Sequence, residues 1–155
     1  MVRLGKAESA WVRSLERDSL LLDGVERLMT MPAVGPITAL TWALEIGEVQ
    51  RFSSIQKASS YGGLCGAEQS SGNTVQRTPL SKQRNQQVQT TVMEAAQMAP
   101  RNSAQRAMLY DKEKHQGNAN RATLAVARKL VAYLMAVDRG QRDFQVVENS
   151  TCTAA

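Results

Sequence analysis

The chain has 155 residues, 43% of them hydrophobic, which suits one compact domain with short appendages. Nineteen Lys and Arg stand against fourteen Asp and Glu, a formal charge of +5, and nowhere do eighteen apolar residues run together, so neither a membrane span nor an export leader is expected. Cys65 and Cys152 are too far apart for a CxxC pair, and with His115 as the sole histidine neither a zinc site nor a disulfide framework is expected; a reducing, cytoplasmic compartment is the default.

From about Ala7 to Met29, Trp11, Leu15, Leu22, Val25 and Met29 recur at helical spacings while Arg13, Glu16, Arg17, Glu26 and Arg27 take other faces. This predicts a long amphipathic helix, weakened at Gly24 and packed on its own domain or on a partner. Met31 to Leu40 reads as a tight turn with Pro36 opening a second helix, whose face is Ile37, Leu40, Thr41 and Leu44 and whose end is Gly47. A glycine turn between two helices resembles the helix-hairpin-helix motif, in which backbone N–H groups at Gly35 approach a DNA phosphate. A plain helical hairpin fits equally, since Ala33 stands where the motif has glycine and Pro36 lacks a donor.

A short helix is expected from Ser53 to Ser60, ended by Gly62 and Gly63, then a glycine-rich segment with adjacent Ser70 and Ser71. Low helix propensity leaves short strands open between Leu64 and Val75. Val88, Val92, Ala95, Ala96 and Ala99 form the stripe of the next helix, expected to stop at Pro100. Two more helices are expected, Ser103 to Gln116 and Ala119 to Val137, closed by Gly117 and Gly140. In the last, Val126, Leu130, Tyr133, Leu134 and Val137 form the core face, and Arg121, Ala125, Arg128 and Ala132 a small and basic stripe. The fold class is mainly α: five or six helices with an irregular, serine-bearing glycine-rich loop. The expected divisions are an N-terminal helix over 1–30, a domain over 31–144 and a frayed tail over 145–155.

Charge is uneven along this order. Between Thr74 and Leu130 ten bases (Arg77, Lys82, Arg84, Arg101, Arg106, Lys112, Lys114, Arg121, Arg128, Lys129) face three acids (Glu94, Asp111, Glu113), a local +7. Such a half is the electrostatic footprint of a nucleic-acid binder, because each neutralised phosphate releases counterions. Serine hydroxyls beside Arg77, Lys82 and Arg84 combine a nucleophile with cations able to hold a polyanion and steady a departing oxyanion. Solvated surface charge and hydroxyls that merely shape a turn are the plainer readings.

Four segments in order, PAVGPITALTWALEIGEVQRFSS, YGGLCGAEQSSGN, LSKQRN and GNANRATLAVARKLVAYLMAV, together resemble the C-terminal domain of an insertion-sequence transposase family, over about Leu28 to Phe144. Intact members join an N-terminal RuvC-like domain, with DEDD acidic residues, through a helical linker to a serine-bearing domain. The resemblance implies a site-specific DNA recombinase guided by a structured RNA, oligomeric when full length, exchanging strands through a covalent phosphoserine. The family's serine precedes the glycine of an SG motif, which falls on Ser71, with Ser70 as the fallback. Lys82 and Asn85 match a KxGN-like element in which Arg84 replaces glycine, and Arg121, Arg128 and Lys129 match a closing basic helix assigned to the DNA backbone by charge and spacing.

No RuvC-like domain precedes these residues, so a truncated transposase, inactive alone, is the expectation. Any divalent metal would belong to the other domain, because Glu45, Glu48, Glu68 and Asp111 have no metal-ligand spacing. The alternative class is a noncatalytic helix-hairpin-helix module gripping duplex DNA, and a third is a helical assembly piece. Tyrosine recombination is not favoured, as Tyr61, Tyr110 and Tyr133 lack a basic cluster that includes histidine.

Overall fold

The structure, a computed structural model, describes the backbone of residues 19–71, 74–80 and 84–145, and side chains for 21–65 and 84–145. The first part of the expected N-terminal helix, with Trp11 and Leu15, lies outside the described residues, as do Lys82, Cys152 and most of the tail.

Among the described residues the fold is mainly helical. Helix α1 (Ser19–Met29) leads through a turn to α2 (Pro36–Ile46); a 3-10 turn (Val49–Arg51) and α3 (Ile55–Tyr61) follow, then strands β1 (Gly66–Ser71) and β2 (Thr74–Leu80), and helices α4 (Gln86–Asn102), α5 (Ala104–His115) and α6 (Ala119–Gly140). Local chemistry sets these bounds. Ser54, Asn85 and Asn118 cap α3, α4 and α6 by accepting the amides of Lys57, Val88 and Arg121, each satisfying a donor that the first helical turn leaves orphaned. Pro36 opens α2 where its missing N–H costs nothing, and Gly47, at φ 59°, ends it.

Helix α6 is the centre of the bundle. It packs on α5, α4, α1 and α3, while α4 also packs on α2 and α5. Its buried residues, from Ala122 through Val126, Leu130 and Leu134 to Val137, recur at i+3 and i+4. Val88, Val92, Ala95, Ala96 and Ala99 of α4 face this core as expected, and their small side chains bring the helices close. Val25 and Leu28 place the described part of α1 in the same core, while Met29, expected on that face, is exposed.

Three expectations are corrected. Helix α2 buries Ala39, Leu40, Trp42 and Ile46 and leaves Ile37 71% and Leu44 43% exposed. The segment PITALTWALEI is apolar on most sides, so its own periodicity did not choose the face; packing against α1 and α4 did. Pro100 does not stop α4, which runs on to Asn102. It sits in the last turn, where it removes one terminal hydrogen bond and interrupts no long stretch of helix. Third, the serine segment takes the strands that composition leaves open between Leu64 and Val75, and not an irregular loop: it is an antiparallel hairpin running on to Leu80, in which Ser71 pairs with Thr74 and Ser70 with Val75. Only Gly72 and Asn73, outside the described residues, connect the paired ends. Register shifts between Gly66 and Glu68, whose partners are Leu80 and Arg77. The extra residue falls on the β2 side at Thr78-Pro79, where a proline without a ladder donor is tolerated at a bulge.

Candidate functional site

The hairpin leaves the helical body at two roots, and both are tied down by backbone hydrogen bonds. At the first, Gly62 and Gly63 end α3; Gly63 takes φ 65°, and the Leu64 amide donates to the Ser59 carbonyl at 2.8 Å. The Leu64 side chain is fully buried. At the second root the Asn85 amide donates to the Tyr61 carbonyl at 2.8 Å. Side chains from α4 and α6 reach the first root as well. Gln89 Nε2 donates to the Gly63 carbonyl at 3.1 Å, and Arg128 Nε to the Leu64 carbonyl at 2.8 Å.

Asn85 links three helices. Its Oδ1 caps α4 at the Val88 amide (3.0 Å), while its Nδ2 donates to Glu45 Oε2 of α2 (2.6 Å) and to the Tyr61 hydroxyl of α3 (3.2 Å). Tyr61 in turn donates to the Glu45 carbonyl, and the Arg51 guanidinium stacks 4.8 Å from the Tyr61 ring and 4.6 Å from that of Phe52. The amide of Asn85, followed by Arg51, favours the phenolate and holds the Tyr61 hydroxyl below its ordinary pKa, against the opposing effect of burial. The cluster as such was not legible: Glu45 lies 40 residues from Asn85, and the KxGN-like element that contains Asn85 says nothing of Glu45.

The other expected residues divide by position. Ser70 and Ser71 end β1, and Arg77 lies in β2 paired with Glu68. Arg84 is exposed at the second root, its aliphatic stem lying over Gly63, where only a glycine leaves room. Arg121 is seven residues, two turns or about 10 Å, before Arg128 along α6, and it pairs with Glu113 of α5 at 3.1 Å. Lys129 places its ammonium 5.2 Å from the Tyr133 ring. The structure therefore brings Arg84, Asn85 and Arg128 together at the roots, with Lys129 beside Arg128.

Gly35 stands apart. It caps α2 at φ −91°, an extended conformation open to any residue, and nothing lies within 4 Å of where a Cβ would be. The left-handed residue of this turn is Ala33, at φ 72°. Ten residues of helix, about 15 Å, separate Gly35 from the Glu45 contact. The turn is braced by Arg106, whose Nη1 donates to the Pro32 carbonyl at 3.0 Å and whose guanidinium lies near the Tyr133 and Phe144 rings. Only 4% exposed, Arg106 does not belong to the basic surface on which the sequence placed it. Among the described residues no three His, Cys, Asp or Glu are grouped to hold a metal ion, and no helix is long and apolar enough to cross a membrane.

Residues 25–111, more than half of the chain, match the family described as Transposase IS116/IS110/IS902. A protein of Sinorhizobium fredii (strain NBRC 101917 / NGR234) bearing the name "Putative transposase y4qE" is 36% identical over 69 residues, which make up 44% of this chain. The matched stretch is 18% of that relative's own length.

Proposed function

The chain belongs to the IS116/IS110/IS902 transposase family, and from that premise we propose that it is the serine-bearing, DNA-binding part of a site-specific recombinase. The observation that carries this reading is the pair of adjacent serines at the end of β1, on a hairpin whose two roots are fixed to the helical body. A nucleophile must be held within a fraction of an ångström of its target, and a fixed base under a short hairpin limits where its end can go. Arg77, Lys82 and Arg84 supply the charge near that hairpin, and Arg121 and Lys129 extend it along α6.

In the proposed reaction the Ser71 Oγ–P bond forms as one P–O bond to deoxyribose breaks. The serine proton is lost, and the departing oxygen gains one, so a phosphoserine ester and a free hydroxyl result. Attack of another strand's hydroxyl on that phosphorus reverses the step and rejoins DNA without further energy input. Neighbouring guanidinium groups stabilise the charge that gathers on the phosphoryl oxygens. A structured guide RNA and assembly of several chains belong to the same proposal.

Strand transfer with the remaining transposase domain supplied tests it. Ser71→Ala abolishes transfer and leaves duplex affinity unchanged, whereas Ser70→Ala keeps transfer; full transfer by Ser71→Ala would refute the nucleophile. The competing noncatalytic module predicts that Gly35→Val weakens duplex binding while both serine variants behave as wild type.

A further inference from the structure

We infer that Arg128, with Gln89 and Asn85, is a positioning clamp for the serine hairpin and not a ligand of the DNA backbone, an assignment that rests on the function proposed above. The resemblance grouped Arg128 with Arg121 and Lys129 in one closing basic helix, assigned to the DNA backbone by charge and spacing. Hydrogen bonding separates them. Arg128 Nε, on α6, reaches across 64 residues of sequence to the Leu64 carbonyl, one residue after the left-handed Gly63 and two before β1 begins. A guanidinium grips phosphate best side-on, through Nε and one Nη in parallel. With Nε committed to Leu64, that fork is unavailable while the hairpin stays in place.

Its partners complete the clamp. Gln89 holds the preceding carbonyl, at Gly63, from α4. Asn85 fixes the other root by its backbone amide to Tyr61 and by its side chain, all of whose hydrogen-bonding atoms have partners in α2, α3 and α4. Among the described residues the strands pack extensively only on each other. Arg128, among the described residues, carries a hydrogen bond from the central helix of the bundle to Leu64, two residues before the strand that ends in Ser71.

The full chain tests this with Arg128→Ala compared with Lys129→Ala, the adjacent cation with no bond to the root. Two quantities are read: amide hydrogen exchange over residues 64–80, and the slope of log K for a labelled duplex against log salt. Arg128→Ala is expected to speed exchange at Leu64 and through the hairpin about tenfold while leaving the slope unchanged. Lys129→Ala should lower the slope by about 0.9, one phosphate's worth, without altering hairpin exchange. An Arg128→Ala slope that falls as much as that of Lys129→Ala, or hairpin exchange that stays at wild-type rates, overturns the clamp. If the wild type binds no duplex, the proposed function falls, and exchange alone still decides whether Arg128 holds the hairpin.

Discussion

Trp42 Nε1 donates to Asp138 Oδ2 at 3.0 Å, joining α2 to the last turn of α6 across 96 residues. The indole is buried and Asp138 half-buried. Desolvation raises the Asp138 pKa above its ordinary 3.8, the Trp42 bond and the charge of Arg27 opposing it more weakly. Since the folded chain holds this proton more tightly than the unfolded one, stability falls as pH rises through the window between 3.8 and the raised value, and stays lower above it. Asp138→Asn still offers an oxygen to Trp42 and carries no charge to desolvate. Its thermal midpoint should exceed the wild type's at pH 7, and the difference should shrink towards zero near pH 4. A difference independent of pH would show that ionisation of Asp138 is not its source.

Asn85 allows a sharper test, because capping and tertiary contact predict opposite results for one substitution. As an N-cap, Asp serves as well as Asn. Here, however, the Asn85 amide donates to Glu45 Oε2 at 2.6 Å, and Asn85→Asp sets two carboxylates against each other. We expect a loss of about 1–3 kcal/mol, from an unmade hydrogen bond and like-charge repulsion. Glu45→Gln should restore much of it in the Asn85→Asp background, a coupling that urea titration of the four proteins in a double-mutant cycle would measure. Equal stability of Asn85→Asp and wild type would mean that the cap alone matters.

What the sequence disclosed follows from how local each signal is. Val88, Val92, Ala95, Ala96 and Ala99 announced their buried face because alternation with polar residues at helical spacing is written within one helix. Helix α2 carried no such contrast, so Ile37 and Leu44 were placed inside and Trp42 and Ile46 overlooked. The hairpin depends on pairing between strands, which composition permits but does not specify. Arg106 and Arg128 looked like any other bases in a basic half. Only the folded chain shows that one is buried against Pro32 and that the other holds Leu64, since those partners lie 74 and 64 residues away.

Two glycine substitutions should move stability in opposite directions. Gly24 lies inside α1 with nothing within 4 Å of an added Cβ, so Gly24→Ala should stabilise by about 0.5–1 kcal/mol through helix propensity and a less mobile unfolded chain. Gly63 is left-handed, and its added Cβ would lie 2.6 Å from Arg84 Cβ. Gly63→Ala should cost about 1–2 kcal/mol for the dihedral alone, and more because Arg84 and the second hairpin root must move. Chemical denaturation compares them directly; a neutral Gly63→Ala would show that the root tolerates another conformation.

Arg106 decides whether burial outranks charge in this basic half. Its Nη1 is bonded to Pro32, its Nε is buried with no partner, and desolvation lowers its pKa. A buried cation in that condition contributes little net stability, and an apolar side chain of similar length can take its place. Arg106→Met should therefore fall within about 1 kcal/mol of the wild type, whereas Arg106→Ala, which leaves unfilled the space beside the Tyr133 and Phe144 rings, should cost about 3 kcal/mol. Neither variant should change the salt dependence of duplex binding, because a side chain 4% exposed releases no counterions. A shallower salt slope for Arg106→Met, measured beside Lys129→Ala, would place the guanidinium on the DNA and refute its role as a brace for the α1–α2 turn.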